Sequence, residues 1–387
     1  MKKSSLLVSC LYGLLVVSLA LSNLACSPMQ SLTPSQDSVP LDVGYLSSTL
    51  SESAAPKIAT TKTEAIQALN AHLLALHREC TLLIDPYRTD LLPNSIDELE
   101  RYFARKIEFG APVYGKKNPH VAQISVNIHY DEVGNVLRDG IEKNDYPSDS
   151  KEKKLAHAAA VLLAGAKGKS EYEQIQFLYE SIIKQTNFDT GAYNDGEYCT
   201  AYDVLVRKKG NDESMSEAMQ FLLTLLGIEN RVVLANTNSP SGSRHLFNKI
   251  KMDGQWYNVD LLLGKSFPTP GIRYVYFMVD DALVNQRYRW EEKRYPSSPQ
   301  SKEYHKEHGL EVRSQAELET LVKKAVRQRQ KQLVCWIADY SSTKYKTGFI
   351  HDLPEIDKAS VSFIDGLGEM RSAKTVATEL LFILEYK

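Results

Sequence analysis

The sequence lacks a strong charge of either sign, and this excludes whole classes of partner. Its 387 residues contain 46 Lys and Arg against 48 Asp and Glu, which leaves a formal net charge of −2. No run of Lys or Arg is long enough to serve as a phosphate-binding segment. We therefore expect no nucleic-acid partner.

Cysteine is also scarce. Of the five cysteines, only Cys80, Cys199 and Cys335 lie beyond the N-terminal segment. An odd number argues against a dense disulfide framework. Cys80 and Cys335 lie in apolar runs that are typical of buried strands, where cysteine behaves as a small hydrophobic residue. A bridge between these two remains an alternative.

The N-terminus has the pattern of an export signal. Lys2 and Lys3 precede an apolar stretch at Leu6–Leu21, which is shorter than a membrane-spanning helix requires. Small and polar residues follow it, as they do at the end of a signal peptide. We therefore interpret residues 1–25 as a signal peptide that takes no part in the fold.

The residues that follow predict a lipid anchor. Ala25–Cys26 resembles the lipobox of bacterial lipoproteins, in which the Cys thiol is acylated, although Asn23 and Leu24 depart from that motif. Residues 26–57 are rich in Ser, Thr and Pro, a composition that cannot bury a core and behaves as a flexible tether. We expect lipidation at Cys26 and a location at the extracellular or periplasmic face of the cell membrane. Ordinary cleavage and secretion is the alternative.

Three folded regions are expected beyond the tether. Residues 58–150 predict an N-terminal α/β domain, residues 151–265 a central domain, and residues 266–387 a C-terminal α/β region. The last region opens with a helix and a strand after the capping-box pattern Ser314–Glu317. This helix–strand pattern is similar to that of Glu64–Asp85. The similarity indicates either a duplicated unit or a common pair of elements.

In the N-terminal region the apolar spacing alternates between helical and extended. Apolar residues at Ile66–Leu76 have helical spacing, and Thr81–Ile84 predicts a short strand. Ile96–Ile107 predicts a second helix and Val121–Ile128 a half-buried strand. Val133–Asn135 predicts a turn.

The central region predicts two helices followed by strands. Ser170–Glu173 is a capping box that begins one helix, and Gly227 is placed to end a second, apolar helix. Strands are expected at Arg231–Ala235 and His245–Met252.

A hairpin turn then brings a histidine and an aspartate together. Asp253–Gly254 is a two-residue hairpin signal that joins the preceding strand to Gln255–Leu262. The register that this turn fixes makes His245 and Asp260 diagonal neighbours on one face, with Cβ atoms roughly 7–8 Å apart or less. This is the geometry of a catalytic base held by an orienting acid. A His–Asp pair that only stabilises the sheet is the other interpretation.

The sequence segments around these residues resemble those of the transglutaminase-like superfamily of bacterial proteins. The resemblance covers about Glu171–Leu262 and is carried by Tyr202–Gly210, by Leu222–Glu229 and by the run His245–Asp260, which ends in Trp-Tyr-Asn-Val-Asp. It implies an α+β fold with a central papain/transglutaminase-like domain, in which a helix packs on an antiparallel sheet between small α/β units. It also implies a Cys–His–Asp triad for acyl transfer.

Carried over position by position, the resemblance gives a degenerate triad. His245 falls on the His position and Asp260 on the third position, while the nucleophile position falls on Asp212. The departures cluster there, because Ser214 and Met215 replace the usual Gly and Tyr. Phe247 further replaces the usual Trp beside the His.

An aspartate at the nucleophile position cannot perform the implied reaction. Acyl transfer needs a thiolate that leaves as a thioester, whereas aspartate is a far weaker nucleophile and would give a mixed anhydride. Asp212 is instead expected to cap the helix, whose N-terminus stabilises its negative charge. Facing a protonated His245, it would imitate the ion pair of an active site without its reactivity. We therefore expect a transglutaminase-like protein without catalysis, cofactor or metal that binds or organises a protein, peptide or cell-wall ligand.

Two active-site alternatives stay open. Cys199 could serve as a relocated nucleophile in an acyl-transferring or hydrolysing enzyme, since it precedes the central helix in a polar, aromatic loop. Asp212, His245 and Asp260 could otherwise hold a metal ion, with Glu213 as a further ligand. The two histidines of His305–His308 are expected to lie in a solvated loop.

Overall fold

The computed structural model describes residues 58–387 with ten short interruptions. The interruptions fall at residues 86, 95–97, 100–102, 115–119, 142–144, 190–199, 239–241, 266–270, 303 and 366–375. The expected signal peptide, Cys26, the tether and Cys199 therefore lie outside the described residues. Among the helices that are described, none has the length and apolar character needed to cross a membrane.

Helices and mainly antiparallel sheets form an α+β arrangement, as the sequence predicts. The helices are α1 (Lys62–Leu74), α2 (Glu132–Asp139), α3 (Lys151–Ala166), α4 (Glu171–Gln185), α5 (Asp212–Leu225), α6 (Leu261–Gly264), α7 (Asp281–Val284), α8 (Tyr304–Glu307) and α9 (Gln315–Arg327). The strands are β1 (Glu79–Ile84), β2 (Ala104–Phe109), β3 (Val113–Tyr114), β4 (Ala122–Tyr130), β5 (Asn187–Phe188), β6 (Lys209–Gly210), β7 (Asn230–Thr237), β8 (Arg244–Met252), β9 (Gln255–Val259), β10 (Phe277–Val279), β11 (Tyr288–Arg289), β12 (Gln332–Tyr340), β13 (Ile356–Asp365) and β14 (Val376–Tyr386).

A five-stranded antiparallel sheet positions the site. Its strand order is β10-β9-β8-β7-β11, and α5 packs across β7 and β8. Twelve of the fourteen residues of α5 are buried, so the helix is covered on nearly every side. A helix packed on an antiparallel sheet is the central arrangement that the sequence predicts.

The hairpin between β8 and β9 has the predicted register. Met252 pairs with Gln255 across the turn, and the ladder continues to Asn248 opposite Val259. Asp253 and Gly254 both have positive φ, at 51° and 73°, as a type I′ turn requires. The turn therefore fixes which side chains of β8 and β9 share a face.

Helix caps follow the predicted signals in the central region. Ser170 and Glu173 form a complete capping box at the start of α4. Gly227 lies just past the end of α5 with φ of 75°, the left-handed conformation that ends a helix. Both helix boundaries are thus set by local side-chain and backbone chemistry.

The two flanking units share one topology. In the N-terminal unit α1 precedes a sheet of order β1-β4-β2, with β3 as an additional partner of β4. In the C-terminal unit α9 precedes a sheet of order β12-β14-β13. In each unit the last strand in the chain lies between the other two and pairs with them antiparallel. Duplication of one unit remains a prediction that this common order supports.

Two N-terminal predictions are wrong. The expected helix Ile96–Ile107 ends instead in a strand, because Ala104–Phe109 pairs with β4 and this pairing overrides the local spacing. The expected turn Val133–Asn135 is part of α2, since the Asp131 carboxylate accepts the N–H groups of Val133 and Gly134 and so begins a helix.

The predicted final strand of the hairpin is also too long. It ends at Val259, and α6 begins immediately afterwards with Asp260 as its N-cap. Leu261 and Leu262 are apolar residues of this short helix, so apolar content alone misidentified them as strand.

The expectation for His305 is wrong in a different way. His305 lies in α8, is buried, and places Nε2 2.7 Å from Glu379 Oε2. The carboxylate of Glu379 also accepts from Arg273, and both of these side chains are buried. Long-range pairing therefore draws His305 out of solvent.

Cys80 and Cys335 are free thiols, so no bridge joins them.

Candidate functional site

The site begins at the N-terminus of α5, where the local sequence fixes the start of the helix. Asn211 is the N-cap, with its Oδ1 accepting the Ser214 N–H at 3.0 Å and its own N–H donating to Ser214 Oγ at 2.9 Å. Gly210 allows this close approach, since a Cβ there would lie 2.4 Å from Ser214 Oγ. The expectation that Asp212 caps the helix is therefore wrong, because Asn211 fills that position.

Asp212 occupies the first helical position and its carboxylate points to β8. Its Oδ2 accepts the Leu246 N–H at 2.9 Å and lies 3.0 Å from His245 Nδ1. The side chain is 2% exposed. A buried carboxylate at a helix N-terminus is stabilised by the helix dipole as well as by these donors.

Asp260 binds the other edge of the same imidazole. His245 Nε2 lies 2.7 Å from Asp260 Oδ2, while Asp260 Oδ1 accepts the Leu263 N–H at 2.9 Å. The cap of α6 thus holds the carboxylate in place. The structure brings together all three predicted residues, with His245 between the two carboxylates.

Tyr288 completes the surroundings of His245 and was not found from the sequence. Its ring stacks on the imidazole with centroids 4.4 Å apart and planes 12° apart. Its hydroxyl donates to Asp260 Oδ2 at 3.2 Å. Tyr288 reaches this position only because β11 pairs with β7. No local signal in the sequence links the two strands.

The electrostatics of the site favour an imidazolium. Burial alone lowers the pKa of His245, but Asp260 and Asp212 outweigh it and raise the pKa to about 9. Both ring nitrogens then donate, one to each carboxylate, which no neutral tautomer can do. Burial and the charge of Asp260 raise the pKa of Tyr288 far above its ordinary value, so its hydroxyl stays a donor.

This arrangement holds an imidazolium between two carboxylates and supplies no nucleophile. A protonated imidazole that is bonded at both nitrogens cannot accept a proton, and the group facing it is a carboxylate. The metal alternative also fails on geometry, because Asp212 and Asp260 approach opposite edges of the ring. Across the described residues, no group of His, Cys, Asp or Glu is arranged to hold a metal ion. Cys199, the alternative nucleophile, lies outside those residues.

A second buried ion pair ties α5 to the N-terminal unit. Arg105 of β2 donates to Glu217 Oε1 at 2.5 Å and to Asp131 Oδ2 at 2.7 Å. Asp131 is the N-cap of α2, and Glu217 lies in the same helix as Asp212. The helix that carries Asp212 is therefore tied to the N-terminal sheet by a charge pair.

One family model and several solved structures are similar to parts of the chain. Residues 159–261 match the family model of the transglutaminase-like superfamily. The chain is similar to a solved structure described as a TGase, at 14% identity over 43% of this chain and 47% of that one, with a TM-score of 0.26. It thus spans about half the length of that structure. No curated protein matches the chain.

Two further solved structures are similar to part of the chain. Calcium-bound LapG of Legionella pneumophila is 15% identical over 43% of this chain and 90% of that one, with a TM-score of 0.26. A Cytophaga hutchinsonii protein proposed to be a cysteine protease is 11% identical over 47% of this chain and 64% of that one, with a TM-score of 0.24. The match at residues 159–261 includes Asp212, His245 and Asp260, and it identifies this part of the chain as a transglutaminase-like domain.

Proposed function

We propose that this protein is an exported, lipid-anchored transglutaminase-like protein that has lost its nucleophile and acts as a binding or organising module at the cell surface. The observation that carries the proposal is the placement of Asp212. Its carboxylate bonds both His245 Nδ1 and the Leu246 N–H, at the position where the family resemblance requires a thiol.

The chemistry of the site supports loss of catalysis. An acyl-transfer reaction needs a nucleophile whose pKa a neighbouring imidazole can lower, and a leaving group that water or an amine can displace. Asp212 is already engaged by two donors and would form an anhydride that is much less stable than a thioester. The charges of His245, Asp260 and Asp212 preserve the fold of the site. The carboxylate of Asp212 in place of a thiol removes its reactivity.

The proposed location follows from the N-terminal sequence. The apolar stretch Leu6–Leu21, the Ala25–Cys26 pair and the Ser/Thr/Pro-rich residues 26–57 together favour export, acylation and a flexible tether. Labelling cells with a radioactive fatty acid tests this part. The full chain should carry label, and Cys26→Ala should carry none.

The proposed ligand is a peptide or a fragment of the cell wall. Aromatic side chains exposed on the N-terminal unit, Tyr87 at 89% and Tyr114 at 56%, offer stacking surfaces for such ligands. Sedimentation of the full chain with purified cell-wall material, compared with Tyr87→Ser and Tyr114→Ser variants, measures this binding. Unchanged sedimentation in both variants would exclude these two residues.

The loss of the nucleophile is tested by restoring it. In Asp212→Cys, the helix N-terminus and the adjacent His245 should lower the pKa of the thiol, so that iodoacetamide alkylates it at about pH 6. The matched control Asp212→Cys/His245→Gln lacks the cation and should react at least about tenfold more slowly.

Two results would contradict the proposal. An Asp212→Cys thiol that reacts no faster than the thiol of the double variant would show that the site is not a catalytic triad that lacks only its nucleophile. A thiol-sensitive acyl-transfer or hydrolytic activity of the natural chain that is lost in Cys199→Ser would show that catalysis persists.

A further inference from the structure

A buried lysine lies on the same hairpin as His245 and plays no part in the site described above. Lys249 of β8 is 0% exposed, although it is a charged residue in the middle of a sheet. Burial of an amine is costly unless its charge is paired or removed. Its surroundings therefore indicate what the amine does.

Asp281 is the group that faces this amine. Lys249 Nζ donates to Asp281 Oδ1 at 2.5 Å and to Ser298 Oγ at 2.9 Å. The other oxygen of Asp281 accepts the Ser298 N–H at 2.8 Å, which fixes the carboxylate. Nζ is thus held by one side chain of the short helix α7 and one of the segment that follows β11.

A buried asparagine amide shares the same carboxylate oxygen. Asn258 of β9 is the direct cross-strand partner of Lys249 in the hairpin register. Its Nδ2 donates to Asp281 Oδ1 at 2.9 Å and to the Val279 carbonyl at 3.0 Å. Asn258 is 1% exposed, and within the described residues its Oδ1 accepts no hydrogen bond. One oxygen therefore contacts both an amine and a carboxamide.

We infer that Lys249 and Asn258 form an intramolecular isopeptide bond, with Asp281 as the acid–base group. A buried amine and a buried amide are held together by one carboxylate, and that is the set of groups that such a bond requires. Cross-strand pairing places the two side chains side by side on one face, so that the bond joins adjacent strands.

The reaction balances without an external reagent. Asp281 takes one proton from Lys249 Nζ, and the neutral amine attacks Asn258 Cγ. Asp281 then passes its proton to Nδ2 as the Cγ–Nδ2 bond breaks, and ammonia leaves. Nζ then gives a second proton to Asp281, which ends protonated, so that one ammonium and one primary amide become a secondary amide and one ammonia. The side chain of Asp281 is 23% exposed, which gives the ammonia a route to solvent.

The environment of Lys249 favours the neutral amine that the attack needs. Burial lowers the pKa of Lys249, although the carboxylate of Asp281 opposes that shift. The Trp290 ring lies 5.6 Å from Nζ, and Phe247 packs edge-on against that ring. These aromatic side chains exclude the water that would otherwise stabilise the ammonium.

The bond would act on the hairpin that carries the site. Lys249 lies four residues beyond His245 on β8, and Asn258 lies two residues before Asp260 on the facing strand. His245 and Lys249 lie on one face of β8, because residues an even number of positions apart along a strand point the same way, and Asn258 pairs with Lys249 on that face. A covalent link between the strands fixes the register that holds His245 against Asp260.

Peptide mapping of the purified full chain tests this inference. After denaturation and trypsin digestion, a linked chain yields His245–Lys251 joined to Met252–Lys265, with no cleavage at Lys249 and a mass about 17 Da below the sum of the two peptides. Recovery of the free peptide His245–Lys249 in full yield from folded protein overturns the inference.

Variants separate this bond from other modifications. Asn258→Asp loses water instead of ammonia, so its linked peptide should have the same mass as that of the natural chain, whereas unlinked peptides differ by about 1 Da. Lys249→Arg should give only unlinked peptides. The matched control Lys251→Arg, on the same face of β8, should retain the link. Unlinked peptides from Lys251→Arg would contradict the assignment of Lys249.

Discussion

Nδ1 of His245 lies 3.0 Å from Oδ2 of Asp212, and both atoms are buried between α5 and β8. In the function proposed above, Asp212 takes the place of the thiol that a transglutaminase-like reaction needs beside the imidazole. Because the second ring nitrogen bonds Asp260, His245 carries its positive charge between two negative ones. The stability of the fold should therefore depend on that proton.

We expect the contribution of His245 to be lost at alkaline pH. The folded pKa of about 9 lies above the ordinary value of 6.5, so the stabilisation is complete below about pH 6.5 and disappears as the pH rises through about 9. The shift corresponds to about 3 kcal/mol in the free energy of unfolding. Urea unfolding at about pH 6 and about pH 10 measures the loss. In His245→Gln the difference between the two pH values should shrink, and an equal difference in both proteins would refute this origin.

Removal of the Asp212 carboxylate should destabilise the fold more than its neutralisation does. Asp212→Ala leaves the Leu246 N–H buried without its acceptor and His245 with one counter-ion, at a cost of about 3 kcal/mol. Asp212→Asn keeps an acceptor oxygen and should cost about 1 kcal/mol while lowering the pKa of His245. Thermal unfolding gives the order of stability, and an NMR titration of the His245 ring gives the pKa. The expectation fails if the two variants are equally stable.

Tyr288 should contribute through its ring more than through its hydroxyl. Tyr288→Phe removes one hydrogen bond to Asp260 and keeps the stack on His245, so we expect a loss of about 1 kcal/mol. Tyr288→Ala also removes the buried ring and should cost about 4 kcal/mol. Chemical denaturation of the two variants measures this difference. If Tyr288→Phe costs as much as Tyr288→Ala, the hydroxyl and not the stack is the dominant contact.

The pair of Arg105 and Glu217 should behave as a coupled unit. Arg105→Met leaves the Glu217 carboxylate buried without its cation and should destabilise the fold by about 3 kcal/mol. Arg105→Met/Glu217→Met replaces both charges with apolar groups and should recover most of that loss. A double-mutant cycle, completed with Glu217→Met alone, yields the coupling energy. Simple additivity of the single changes would show that the ion pair contributes nothing specific.

Local signals in the sequence were sufficient for several elements. The capping box that begins α4, the glycine that ends α5 and the Asp253–Gly254 turn act within a few residues, so their chemistry is fully contained in the chain segment. The turn also fixes the register of β8 and β9. For that reason the neighbourhood of His245 and Asp260 could be predicted without knowledge of the whole fold.

Other features depended on partners far away in the sequence. The strand Ala104–Phe109 exists because β4 pairs with it, although its spacing suggested a helix. His305 is buried because Glu379 lies in a strand more than seventy residues later in the chain. Tyr288 reaches His245 only through the pairing of β11 with β7. Such contacts follow from topology, which local propensity does not encode.

The sequence by itself predicted, through the family resemblance, that Asp212 holds the nucleophile position of a transglutaminase-like domain, and it determined that the hairpin brings His245 to Asp260. Turn chemistry and spaced motifs were sufficient for that. The tertiary structure decided the rest: Asn211 caps the helix and frees Asp212 to bond His245, and Asp260 begins a helix rather than continuing a strand. It also decided which charges are buried, because burial depends on elements that meet only when the chain has folded.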